Sequence, residues 1–253
     1  MELIFLGTSS GRTSLNRYHS SILFKDESNI ILIDSGDGVS KALLTLNISF
    51  NSITDIVISH YHSDHLAGLP SLLTQMIILK RTKKLRIFTH IKLINRLNEF
   101  LRTSYLFSET FKFPLEILGF EHDSQKVVHN NFKFIAKKNS HIRNKHNIDD
   151  NTLPFLSSSF LFQAENKNIV YTSDIASTED LYLFYNKEID IFIVEATHVP
   201  LTKIETALTI FSPNKTFLTH IDNENYLIKW LDSFTELKRK KISIANDGEK
   251  IDL

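Results

Sequence analysis

The 253-residue chain balances 29 Lys and Arg against 29 Asp and Glu, for zero formal net charge, and 42% of it is hydrophobic, enough to bury a real core. It has no cysteine, which excludes disulfides, zinc-thiolate sites, cysteine nucleophiles and iron–sulfur clusters and suits a reducing cytoplasm. No apolar run approaches the ~20 residues of a membrane helix, and the opening residues lack the basic n-region of a secretory leader, so a cytoplasmic protein without membrane partners is expected.

Continuous Ile, Val, Leu and Phe runs predict strands, and apolar residues spaced by three and four predict helices. Strands are expected at 2–6, 20–25 and 29–34, a helix at 39–46, a strand at 54–59 and a helix at 69–80. A strand at 85–89, a helix at 92–106 and strands at 132–137, 157–163 and 168–172 follow. Helix 178–185, strand 189–194, helix 202–211, strand 215–219, helix 225–238 and strand 241–245 complete the pattern. Neither a repeat nor a low-complexity linker interrupts it, and 7 Gly with 5 Pro are too few to mark a boundary. One continuous domain, 1–253, of mixed sheets covered by helices is predicted.

Strand after strand ends in an acid or a histidine. The run Ile30 to Ile33 leads to Asp34, Ile56 to Ser59 to His60, Phe132 to Ile135 to His141, Ile169 to Ser173 to Asp174, Ile191 to Val194 to Glu195, and Thr216 to Thr219 to His220. Ligand sites in α/β sheets gather at the carboxyl ends of strands. Imidazole and carboxylate are ligands for zinc, manganese or iron. One ion takes about four ligands, so His60, His62, Asp64, His65, His141, Asp174 and His220 suffice for two ions with one bridging group. On an extended segment His60 and His62 face the same way; the turn into the helix near Pro70 redirects Asp64 and His65. The other histidines, His19, His90, His122, His129 and His146, read as ordinary surface or hydrogen-bonded residues.

The stretch His60-Tyr61-His62-Ser63-Asp64-His65 resembles the HxHxDH signature of the metallo-β-lactamase superfamily, with His141, Asp174 and His220 following in order. The resemblance runs from "FLGTSSG" and "LIDSGDG" to the closing Ala245-Asn246-Asp247-Gly248 and implies an α/β fold, the four-layer αββα sandwich of two mixed sheets flanked by helices. "YTSD" and "EATH" are most similar to the ribonuclease Z and phosphodiesterase branch. That likeness implies one ion on His60, His62 and His141, a second on Asp64, His65 and His220, and Asp174 bridging; zinc comes first, manganese and iron next. Asp64 would also orient the nucleophile, a metal-bridging hydroxide. His198, 22 residues before His220, stands where the branch places a catalytic histidine. Glu195 would orient His198, and Asp34 would support a metal histidine.

The chain also departs from that branch. Only 32 residues separate His141 from Asp174, with one Pro and no Gly, which leaves little room for the glycine- and proline-rich arm that grips transfer RNA. His198-Val199-Pro200 replaces the branch's His-Ser-Thr. True β-lactamases usually lack a bridging carboxylate, and the diiron branch needs an acidic residue where Tyr61 to Ser63 offer none. The expected function is therefore a dinuclear hydrolase of phosphodiesters, acting on an anionic small molecule or RNA. Thioester, ester or lactone hydrolysis is the alternative reaction. A nucleic-acid-binding module with structural metals is the alternative of another class. Residues 80–147 hold 15 Lys and Arg against 5 Asp and Glu, and residues 148–237 hold 5 against 14; Lys80, Arg81, Lys83 and Lys84 would carry nucleic-acid binding in that last reading. A homodimer is common in the resembling branch, though no motif here encodes one.

Overall fold

Ile, Leu, Val and Phe dominate the strands because branched and aromatic side chains pack well on a pleated, buried surface. The computed structural model describes residues 1–143 and 152–253; His146 falls outside them. In chain order the elements are β1 (Glu2–Gly7), β2 (Ser21–Lys25), β3 (Ile30–Ile33), α1 (Val39–Thr45), β4 (Asp55–Val57), α2 (Ser63–Leu66), α3 (Leu69–Ile78), β5 (Leu85–His90), α4 (Ile94–Thr103) and β6 (Leu115–Phe120). They continue with β7 (Gln125–His129), β8 (Phe132–Lys138), β9 (Ser158–Ala164), β10 (Lys167–Tyr171), β11 (Ile191–Glu195), α5 (Leu201–Phe211), β12 (Lys215–Thr219), α6 (Glu224–Asp232), α7 (Glu236–Arg239), β13 (Ile242–Ile244) and β14 (Lys250–Asp252). They form two compact units: Met1–Glu121 with Asn246–Asp252, and His122–Ala245 with Leu253.

The first unit holds a seven-stranded sheet in the order β14-β1-β2-β3-β4-β5-β6. Antiparallel pairs join β14, β1, β2 and β3, and parallel pairs join β3 through β6. Alternate residues share a sheet face, so Ile4, Leu23, Leu32, Ile56 and Ile87 form one core with Leu43 of α1, Leu72 and Met76 of α3 and Leu97 of α4. Gly36 and Gly68 let the chain approach itself closely: a Cβ on Gly68 would lie 2.2 Å from the Gly36 carbonyl oxygen, and one on Gly36 2.2 Å from that of Asp64. Only glycine fits either place.

The second unit repeats this logic with the order β13-β12-β11-β10-β9-β8-β7. Strands β10 to β13 pair in parallel, and β7 to β10 pair antiparallel. Val170, Phe192, Val194 and Leu218 pack with Ile204 of α5 and Leu227 of α6. Because β8 is separated from β10 by one antiparallel strand, the carboxyl ends of β8, β10, β11 and β12 all emerge on the same edge.

Two mixed sheets with their helices match the expected fold class. Three strands, β6, β7 and β14, were not predicted. The expected helix 178–185 is a short 3₁₀ turn, Thr178–Tyr182. The expected helix 225–238 is broken into α6 and α7. Among the described residues, no helix is long and apolar enough to cross a membrane.

Candidate metal centre

In the first unit, β4 delivers the His60 to His65 stretch. Residues 60–62 leave the strand without helical structure, and the chain then turns into α2, which carries Asp64 and His65. The His60 and His62 rings lie 4.8 Å apart and those of His60 and His65 4.2 Å apart, consistent with the alternation expected of His60 and His62. His60 and His65 are fully buried, whereas His62 is exposed.

Asp34, at the end of β3 and fully buried, fixes these rings. Its Oδ1 accepts from the Ser59 amide at 2.7 Å. Its Oδ2 accepts from the Ser59 hydroxyl at 2.8 Å and pairs with His65 Nδ1 at 2.8 Å. A carboxylate only accepts, so His65 carries its proton on Nδ1. The Ser59 hydroxyl spends its one proton on Asp34, so it accepts from His60 Nδ1 at 3.0 Å. In their neutral form both imidazoles would then present a lone pair on Nε2, the tautomer for metal ligation through that nitrogen. His65 Nε2 lies 3.6 Å from Asp64 Oδ2.

The second unit carries His141, Asp174, Glu195, His198 and His220 at the carboxyl edge of its sheet. Asp174 Oδ2 is 3.1 Å from His220 Nε2 and 3.4 Å from His141 Nε2. Donors bound at 2.0–2.2 Å around a tetrahedral ion lie about 3.3–3.6 Å from each other. The Asp174 spacings of 3.1 and 3.4 Å and the Asp64 spacing of 3.6 Å are close to that range, and the donor set is nitrogen and oxygen throughout, so these groups fit divalent metal.

Around them, side chains that looked ordinary in the sequence hold the loops. Asp180, buried, accepts from the Ser140 amide at 3.1 Å and hydroxyl at 2.5 Å and from the Ala176 and Ser177 amides, each at 3.1 Å. It ties the segment before His141 to the segment after Asp174. Asn139 accepts from the His141 amide at 3.1 Å and from the Ser157 hydroxyl. The capping box of Ser177 and Asp180 was a readable signal for a helix start, but nothing local pointed to Ser140. Three residues in or beside the donor set, Asp34 (φ 58°), Ser173 (φ 50°) and His220 (φ 56°), adopt the left-handed backbone, sparsely populated except by Asn, Asp and His among non-glycines.

Glu195 is fully buried at the end of β11. It accepts from the Thr197 amide at 2.7 Å and the His198 amide at 3.0 Å, and its Oε2 lies 3.5 Å from His198 Nδ1. Hydrogen bonding to Glu195 raises the His198 pKa above the usual imidazole range, against the opposing pull of burial. The His198 ring sits 4.9 Å from that of His141 and 5.1 Å from that of His220. Glu195, His198 and His220 bring donor atoms within 4.8 Å of one another.

Of the histidines read as ordinary, His90 accepts from the Lys92 amide at 3.2 Å, and His122 Nε2 meets the Ser158 hydroxyl at 3.0 Å. Arg81 departs from its place in the expected basic surface. It is 2% exposed and donates to the carbonyls of Asn51, Ile53, Lys83 and Lys84 at 2.7–3.0 Å. Burial lowers its pKa to about 10, which leaves it charged at neutral pH. Arg81 is a structural clamp.

The two seven-stranded sheets, with imidazoles and carboxylates at their strand ends, have the metallo-β-lactamase fold and resemble the ribonuclease Z and phosphodiesterase branch. The solved metallo-β-lactamase-fold protein YhfI from Bacillus subtilis superposes with a TM-score of 0.77 at 19% identity, covering 99% of this chain and 98% of that one. Human tRNase Z, short form, superposes with a TM-score of 0.72 at 20% identity, covering 100% and 99%. A ribonuclease Z from Methanocaldococcus jannaschii is 41% identical over 88 residues, 35% of this chain and 28% of that protein. The aligned stretches span less than half the length of the curated relatives matched. The chain belongs to the family described as Anti-Pycsar protein Apyc1, whose model matches residues 1–241.

Proposed function

We propose that the chain is a cytoplasmic metal-dependent hydrolase of phosphodiester bonds in which the two units act as one domain. His60, His62 and His141 would hold one divalent ion, Asp64, His65 and His220 the other, and Asp174 would bridge. Zinc is the expected metal. When bound, such a pair supplies a water acidified to near neutral pKa and neutralises charge on the phosphoryl oxygens.

The chain's own groups do the rest. Asp64 orients the attacking water. His198, its pKa raised by hydrogen bonding to Glu195, gives its proton to the departing oxygen as the phosphorus–oxygen bond breaks, a contribution typically worth ~10²–10⁴-fold. Asp34 and Ser59 keep Nε2 of His60 and His65 available. The observation that carries the reading is Asp174 Oδ2 within 3.1 and 3.4 Å of two imidazole nitrogens, with the His198 ring beside both of those imidazoles. The short stretch between His141 and Asp174 favours a small anionic diester over transfer RNA. A homodimer is proposed as in the resembling branch, to be read by light scattering.

The test is hydrolysis of bis-p-nitrophenyl phosphate by metal-analysed protein, with zinc and manganese separately and His198→Ala alongside. Turnover that requires metal and falls in the variant is expected. Two bound ions without turnover of any phosphodiester would move the reaction to thioesters or lactones. Full activity of Asp174→Ala would overturn the ligand assignment.

A further inference from the structure

On the flank of His198 the second unit has a cavity of about 390 Å³, shaped by the loop after β11 and the start of α6. Its volume falls within the ~300–1,000 Å³ of small-molecule sites. Val199, Leu201 and Leu227 contribute to its lining and are buried at 5%, 5% and 2% exposure, so this part is apolar and fixed. Tyr226, also in the lining, is 58% exposed and sets open aromatic surface beside a fixed apolar one. Asn223, in the lining as well, accepts through Oδ1 from the Tyr226 amide at 3.0 Å, which pins the turn carrying the ring; its carboxamide also carries an Nδ2 donor. Asp222 lines it too, and Glu224 opens α6.

These features set the chemistry of an occupant. An apolar floor, an exposed ring and one amide donor suit a planar ring with an acceptor on its edge. The carboxylates of Asp222 and Glu224 repel a second phosphate, as does the acidic balance of residues 148–237. The lining also includes His198, whose proposed partner is the departing oxygen. Whatever is attached to that oxygen must lie beside the imidazole.

We infer that this cavity is the leaving-group subsite, that Tyr226 selects an uncharged planar aromatic or heteroaromatic ring there by stacking, and that a leaving group bearing further phosphates is disfavoured. The inference rests on the phosphodiesterase reading and assigns Tyr226 a specificity role, with no part in proton transfer.

The experiment compares the metal-loaded full chain with Tyr226→Phe and Tyr226→Ala on two methyl phosphodiesters. One has an aryl leaving group, and the other a fluoroalkyl leaving group of matched acidity. Tyr226→Ala should raise KM for the aryl ester about tenfold with kcat little changed, and shift KM for the fluoroalkyl ester less than twofold. Tyr226→Phe should behave as wild type, because a phenyl ring stacks equally well. Equal shifts for both esters, or none, would overturn the inference. A second arm measures binding of the monomethyl ester of phenylphosphonic acid, which keeps the ring but has no cleavable aryl–oxygen link. If the wild type hydrolyses neither ester yet Tyr226→Ala binds this compound about tenfold more weakly, the ring subsite stands and the phosphodiesterase reading fails. Unchanged binding sinks the subsite whatever the turnover.

Discussion

Asp34→Asn separates charge from shape. Asparagine has the size of aspartate and tolerates the left-handed φ of 58° at this position, so the backbone should not move. The hydrogen-bond arithmetic does change. The Ser59 amide can only donate, so the oxygen of the substituted carboxamide must face it, and the NH₂ then faces the Ser59 hydroxyl and His65 Nδ1. Ser59 can accept from that NH₂, and its own proton turns to His60 Nδ1, 3.0 Å away. His65 Nδ1 must become the acceptor. Both imidazoles therefore move their proton to Nε2, the nitrogen a metal would take. Loss of such a supporting partner typically costs 10–100-fold in metal affinity, or about 1.4–2.8 kcal/mol. With Asp34 and His65 both fully buried, water offers no substitute, and the upper end is expected. Competition against a chromophoric zinc chelator at neutral pH measures the affinity, and nitrogen NMR of the metal-free protein reads the His65 tautomer. Wild-type affinity in a normally folded Asp34→Asn protein, or a His65 that keeps its proton on Nδ1, would refute the reasoning.

Arg81→Met should cost about 3 kcal/mol or more, because four carbonyls lose a charged donor worth ~1.5–3 kcal/mol per bond; Lys83→Ala, on the surface, should stay within about 0.5 kcal/mol. Urea melts of the two decide it, and equal effects would return Arg81 to the surface. In Glu195→Gln the support for the His198 proton weakens, so the pKa falls. Since the protonated form is the active one, the decline of kcat with rising pH should begin at lower pH than in wild type, with both proteins metal-loaded; superimposable pH profiles count against the pairing. Asp180→Ala leaves the Ser140, Ala176 and Ser177 donors without their shared acceptor, and zinc affinity should drop about tenfold although Asp180 binds no metal. An unchanged zinc titration would show that the loops hold without it.

The donors were legible because they sit in a periodic context. Each follows an apolar strand, and the cluster from His60 to His65 is too dense to be ordinary surface. Strands β6 and β14 were not legible, for different reasons. In β6 the apolar residues are interrupted by Glu116 and Gly119, and most of the strand is only half-buried, so it shows no continuous apolar run. The three residues of β14 become a strand only by pairing with β1. The break after α6 was hidden because Trp230 and Phe234 keep a helical spacing while their rings pack at 4.7 Å across the turn. Asp180, Asn139 and Ser59 act on partners fixed by the fold; Asp180 reaches Ser140, forty positions away. Arg81 read as one cation in a basic run because its partners at Asn51 and Ile53 lie far back in the chain.

The pairing of Glu2 with Asp252 has a consequence for biosynthesis. Within the first sheet, β1 is translated well before β14, the edge strand that covers it. Residues His122–Ala245 of the other unit are translated in between. An unfinished chain would therefore expose the outer edge of β1, a row of unpaired amides and carbonyls that invites other chains, until β14 has been made. A nascent chain stalled after β13 would keep that edge open with every proposed metal ligand already translated, so aggregation during expression and loss of metal binding should be separable by where the chain is cut.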